Sequence, residues 1–184
     1  MARTSAKKIE RLTEAQGAAG PAPDRKYEFT GETKTVFGIT LRQIRAVRAI
    51  GLIAAGTVGG WIESEANLAQ VYGNAWVSGD ARVYGDARVY GNAWIYGNAR
   101  VYGNAQVSEP QHCLTIGPLG SRAAILTVCR DSTLGISYAT GCFFGSREAF
   151  LAAVEATHGD SPIGNAYAAA VMLADHVVPP YTQE

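Results

Sequence analysis

Residues Val71–Ser108 read VYGNAW VSGDAR VYGDAR VYGNAW IYGNAR VYGNAQ VS. One six-residue unit recurs without a gap, and self-similarity at a fixed period marks a stack of like structural units. Val71, Val77, Val83, Val89, Ile95 and Val101 return every sixth residue, and an alanine stands two positions earlier, as Ala75 before Val77. Residues at i and i+2 share one face of an extended strand, so the alanine and the aliphatic residue point inward together. The residue between them, such as Trp76, Arg82, Arg88, Trp94 or Arg100, then points outward, as does the tyrosine or serine after each aliphatic position. Gly-Asn or Gly-Asp follows, a pair that accepts φ > 0 and turns the chain at little steric cost. Each hexad is a short strand and a corner.

Strands of this kind close into a narrow triangular coil when three hexads make one turn. The pattern aliphatic, x, Gly, Asn/Asp, small, x resembles the hexapeptide repeat of left-handed parallel β-helices. The resemblance implies three hexads per coil, so residues eighteen apart stack at the strand spacing of about 4.8 Å. Trp76 then lies under Trp94, Arg82 under Arg100, Tyr84 under Tyr102 and Tyr72 under Tyr90. The outer ladders, Tyr72, Trp76, Arg82, Tyr84, Arg88, Tyr90, Trp94, Tyr96, Arg100 and Tyr102, are the candidate binding residues, because Tyr, Trp and Arg are enriched at contact hot spots. Thr57–Gln70 reads as a degenerate first coil with Ile62 and Leu68 inward and Gly59-Gly60 at a corner. So short a stack needs support from flanking domains or from other subunits. Hexapeptide β-helix proteins commonly pack side by side as trimers, so the resemblance implies a homotrimer with one wall against its neighbours.

The chain has 184 residues, enough for one or two small domains, and is 47% apolar and 17% charged. Its formal net charge is zero, but residues 1–50 carry ten Lys/Arg against five Asp/Glu, and residues 109–184 carry three against seven. No run approaches the roughly twenty apolar residues of a membrane-spanning helix, and the first twenty residues lack the apolar core of a secretion signal. The expected location is cytoplasmic, with no membrane partner. Three cysteines without a CxxC spacing argue against a disulfide scaffold.

Four segments follow. Residues 1–25 read as a basic tail or docking helix, with Ser5–Gln16 as the helical part. Residues 26–56 read as an N-terminal β cap, a hairpin turning at Thr30-Gly31, although Arg42, Arg45 and Arg48 keep a helix open over Leu41–Ala49. Residues 57–108 are the β-helix. Residues 109–184 read as a small α+β domain of order βββαα, with strands at Leu114–Ile116, Ala124–Cys129 and Gly135–Ala139. Helices follow from Ser146 to about Thr157 and from about Gly164 to His176. The overall class is mainly β.

Acyltransferases on this helix use a histidine base in a cleft between subunits, and gamma-type carbonic anhydrases bind a metal through histidines. This chain has no histidine before His112, so neither chemistry fits the repeat. His112, His158 and His176 with Cys113, Cys129 and Cys142 allow a zinc set or a nucleophile with its base. Their spacing matches no metal module, and the plainer reading is cysteines as small hydrophobes on strands and histidines as a linker residue and two helix ends. No catalytic residue, metal or cofactor is expected. Arginine among aromatics can bind single-stranded nucleic acid, yet over Val71–Ser108 three arginines face two aspartates, a slight charge for phosphate.

The wording YGNA-x-V-YGNA, the preceding GGWIESEANLAQ and the following GCFFGS and EAFLAAVEATHGD resemble small proteins of bacteriophages and prophages, from about Lys26 to Val178. The resemblance implies a non-enzymatic binding protein that engages a host macromolecule or sequesters a nucleotide defence signal, an anti-defence or anti-CRISPR-like inhibitor. The other classes left standing are a hexapeptide-type acyltransferase and a nucleic-acid-binding accessory protein.

Overall fold

The computed structural model describes residues 25–182, so the helix expected over Ser5–Gln16 lies outside the described residues. Strands β1 (Tyr27–Val36) and β2 (Ile39–Ala46) form an antiparallel hairpin. Its turn is at Phe37-Gly38, with φ of 52° and 81°, not at Thr30-Gly31. Two successive positive φ values match the twist of the flanking strands. Gly31 instead falls where the register skips between Phe29 and Thr33, a bulge that absorbs the extra residues. Leu41–Ala46 is extended, with Leu41, Ile44 and Ala46 buried, so the helical alternative is not adopted there. β3 (Val58–Ile62) pairs antiparallel with β2. Gly59 and Gly60 lie inside β3 and not at a corner. A Cβ on Gly59 would stand 2.6 Å from the Trp76 ring, and one on Gly60 2.7 Å from the carbonyl oxygen of Ala81. These glycines let the incoming strand lie close on the coil.

The hexads supply six two-residue strands, β4 (Trp76–Val77), β5 (Arg82–Val83), β6 (Arg88–Val89), β7 (Trp94–Ile95), β8 (Arg100–Val101) and β9 (Gln106–Val107). They pair in parallel at a separation of eighteen residues: Trp76 with Trp94, Arg82 with Arg100, Arg88 with Gln106. Three walls result: β3–β5–β8, β4–β7, and a third from Leu68, β6 and β9. Amides of one rung donate to carbonyls of the next in one sense, as Arg82 N to Ala99 O and Tyr84 N to Val101 O. The interior is a column of Ala, Val, Ile and Leu from Ile62 to Val107, none more than 2% exposed. Burying each branched side chain contributes about 1.5–3 kcal/mol.

The first coil is longer by three residues: Trp61 pairs with Arg82 and Leu68 with Val89, both twenty-one apart. The extra residues lie between Leu68 and Ala75 and displace Val71 and Tyr72. Val71 is 45% exposed and Tyr72 85%, so Val71 is not an interior position. The reason is the hairpin's first strand. Gln70 accepts the Tyr27 amide and donates to the Tyr27 carbonyl, and the buried Lys26 ammonium donates to the carbonyls of Tyr72 and Gly73. Burial, and then the charge of Arg48, holds the Lys26 ammonium down to about 8. Only the corner keeps its stack: a Cβ on Gly73 would fall 2.1 Å from the Gly91 oxygen.

Beyond the coil, β10 (Cys113–Leu119), β11 (Ala124–Asp131), β12 (Gly135–Thr140) and β13 (Phe143–Gly145) form an antiparallel sheet. The strand β13 is a fourth one, too short to announce itself in the sequence. Helices α1 (Arg147–His158) and α2 (Pro162–Val177) follow. Ser146 and Ser161 cap them by accepting the amides of Ala149 and Gly164. Alternation along β11 joins two cores. Thr127, Cys129 and Asp131 face the coil, where Thr127 Oγ1 accepts the Arg100 amide, Cys129 joins the coil's apolar cluster and Asp131 pairs with Ala105. Leu126 and Val128 pack with Phe150, Tyr167 and Val171 of the helices. The sheet thus closes one mouth of the coil, as Tyr27, Ile44 and Ile50 close the other.

Where the last coil ends, His112 Nδ1 accepts the amides of Ser108 and Glu109 at 3.3 Å. Asn67 does the equivalent at the first coil, where its Oδ1 accepts the Ser64 amide at 2.9 Å. An accepting Nδ1 carries no proton, and burial, then the charge of Arg130, lowers the His112 pKa. An unfolded chain binds that proton more readily. Stability is therefore complete above the ordinary histidine pKa of about 6.5 and falls as pH drops below it. In urea unfolding followed across pH 5–8, His112→Asn is expected to keep the cap and flatten this slope.

Candidate functional site

The ten outer-ladder residues do not form one surface; the three walls separate them. On the β3–β5–β8 wall, Arg82 and Arg100 are register partners and half-buried. Beside them the Tyr84 and Tyr102 rings stack at 4.8 Å and 8°, and Phe144 of β13 extends the stack at 4.5 Å from Tyr102. The Tyr102 hydroxyl donates to the Phe143 carbonyl at 3.4 Å. Burial, and then Tyr84, pushes the Tyr102 hydroxyl up to about 12, so it stays protonated as that donor. Tyr84 is buried, which removes it from any open ladder. Its stack joins the coil to the C-terminal sheet. Trp61 belongs to this wall although the hexad pattern did not reach it, and Lys34 of β1 reaches over it. Lys34 Nζ lies 4.0 Å over the Trp61 ring and 3.6 Å from Asp80. Trp61 escaped because it stands twenty-one residues before Arg82, out of phase with the repeat.

On the β6–β9 wall Arg88 is exposed and Tyr90 half-buried. On the β4–β7 wall the two tryptophans part. Trp94 is 43% exposed, with Tyr96 beside it at 62%, whereas Trp76 is 1% exposed. Trp76 is covered by the chain that enters the coil, packs at Gly59, and joins the cluster of Ile44, Ala46 and Ile50, with its Nε1 unpartnered among the described residues. Beside this wall the exposed Leu52 and Tyr72 neighbour the Asn74 corner. Gly51 adjoins Asn74, and Asn74 donates to Asn92 at 3.4 Å. Trp94 and Tyr96, which flank Ile95, are the exposed aromatic pair of this wall.

The cysteines and histidines do not assemble into one site. Cys113 and Cys129 are cross-strand partners with their sulfurs 2.8 Å apart, and burial raises the Cys129 thiol pKa well above its usual value. Cys142 is exposed. His112 is the end cap, His176 Nδ1 lies 2.7 Å from the Met172 carbonyl, and His158 stacks on Tyr167. A cleft of about 270 Å³ beside α1 has both Cys142 and His158 on its walls. Among the described residues no group of His, Cys, Asp and Glu is arranged to hold a metal ion, and no helix is long and apolar enough to cross a membrane.

The family model described as YdcK beta solenoid repeat matches residues 69–83, 81–95 and 93–109. A comparison with curated proteins returns no match. The three matched segments cover the hexads that build β4 to β9, so the chain carries a β-solenoid repeat over residues 69–109, within a structure that has more strand than helix and two C-terminal helices.

Proposed function

We propose that this protein acts by binding and not by catalysis, as a homotrimer built on a left-handed hexapeptide β-helix. The observation that carries the proposal is the exposure of Trp94 and Tyr96, 43% and 62%, on a well-packed coil. Two large aromatics left exposed side by side are contact chemistry. We assign this pair to the neighbouring subunit, and the outward β3–β5–β8 wall to the partner. The repeat offers hydroxyl, guanidinium and amide groups and the separate carboxylates of Asp80 and Asp86 but no histidine, which favours holding a ligand over turning one over. The wording of the repeat and its flanks points to a phage or prophage protein working in the host cytoplasm, against a host macromolecule or a defence signal.

Light scattering tests the assembly. The wild type is expected at about three times the 19.5 kDa of one chain, and Trp94→Glu with Tyr96→Glu at the mass of a single chain with unchanged circular dichroism. A wild type that is monomeric at micromolar concentration contradicts the trimer. Capture from host lysate tests the binding. A partner retained by the wild type and lost on altering the β3–β5–β8 wall supports it, and acetyl transfer from acetyl-CoA contradicts it.

A further inference from the structure

We infer that the β3–β5–β8 wall carries a site for an oxyanion, the phosphate or carboxylate of a small molecule with a flat apolar part, in the groove between the β1–β2 turn and the start of β11. The groove has a volume of about 310 Å³ and is lined by Arg82 and Arg100, with Phe37 on one rim and Ala123 and Ile125 on the other. That size is at the lower end of small-ligand sites.

Three independent features converge there. The first is charge. Arg82 and Arg100 are register partners on adjacent parallel strands, about 4.8 Å apart at the backbone, and among the described residues neither is ion-paired with a carboxylate. Asp80, at the corner before β5, is within ion-pair distance of Lys34 instead. Lys34 feels the excess: burial first, and then the charge of Arg82, lowers its pKa. The second is an unmet donor. Arg82 Nε is buried without a hydrogen-bond partner among the described residues, while Arg100 Nη1 is held by the Gly141 carbonyl at 2.8 Å. A buried donor without an acceptor is costly, and a guanidinium fork suits the paired oxygens of phosphate or carboxylate. The third is strain. Phe37 and Ala123, with φ of 52° and 46°, are the two non-glycine residues of positive φ among the described residues, and both stand on this groove. Strained backbone of this kind concentrates at ligand sites. Phe37 is 73% exposed and offers its ring to the flat part of the ligand. The inference rests on the coil being a binding scaffold and names the chemistry its outward wall takes.

Arginine side-chain Nε–Hε signals, followed by NMR in about 0.15 M salt, test it on the full chain. The probes are phenyl phosphate, benzoate and, as the neutral control, benzyl alcohol. The Arg82 signal is expected to shift saturably with one or both anions, the tighter of them identifying the head group, and not with benzyl alcohol. Arg82→Gln and Arg100→Gln should each weaken binding at least about tenfold. Phe37→Ala should weaken phenyl phosphate more than inorganic phosphate. No saturable shift with either anion on the wild type, an equal shift with benzyl alcohol, or undiminished binding in both arginine variants overturns the inference. The wild-type titration decides the matter even where a variant fails to fold. Failure here alongside a captured partner and a trimer removes the groove only, whereas a saturable shift on a monomer removes the trimer only.

Discussion

Val83→Asp is expected to leave the protein unfolded, while Val71→Asp, the same substitution in the same phrase of the repeat, changes stability by less than about 0.5 kcal/mol. Val83 is fully buried, on β5 between Ile62 of the coil before and Val101 of the coil after. A carboxylate there has no cation or amide to meet inside a column of alanines and aliphatics. Its cost, after any neutralisation by a raised pKa, is several kcal/mol. That approaches the whole stability of a domain, about 5–15 kcal/mol. Val71 is already 45% exposed and belongs to the segment held by Lys26 and Gln70. Urea unfolding followed by circular dichroism measures both. Equal damage at the two sites contradicts the three-residue shift in the first coil.

The two tryptophans of the repeat should differ as sharply. Trp76→Ala removes an indole from between the coil and the entering chain and is expected to cost about 3–5 kcal/mol. Trp94→Ala, examined with Tyr96→Glu so that the subunits are held apart, is expected to cost less than about 1 kcal/mol. The two residues are register partners, so the contrast comes from what covers each. Urea midpoints of the two variants settle it, and a Trp76→Ala midpoint close to the wild type would place that ring at the surface.

These contrasts mark where the hexads were legible and where they were not. From Ala75 to Val107 the alternation of Ala and Val fixes which side chains face inward, because nothing but the period is needed, and each of those positions is buried. Val71 and Tyr72 misled, since their phrase is identical to later ones and the displacing clamp comes from Lys26 and Gln70, far away in sequence or outside the hexads. Gly59-Gly60 looked like a corner by composition. Its cause is the close approach of Trp76 and Ala81, a tertiary fact with no local signature. The turn at Phe37-Gly38 was hidden because phenylalanine is an unlikely residue for positive φ. For the same reason the groove of Arg82 and Arg100 was only half visible. The spacing put the two arginines together, but Phe37 and Ala123 reach them through chain segments that the repeat does not describe.

Three hexads make one turn of a parallel coil, and the position of every hexad side chain from Ala75 to Val107 follows from that. Amide-to-amide and amide-to-α-proton NOEs across the strands measure it directly. Contacts are expected at a separation of eighteen residues, between Trp76 and Trp94, Arg82 and Arg100, and Arg88 and Gln106. Contacts between adjacent hexads in antiparallel register, as between Arg82 and Arg88, would contradict it.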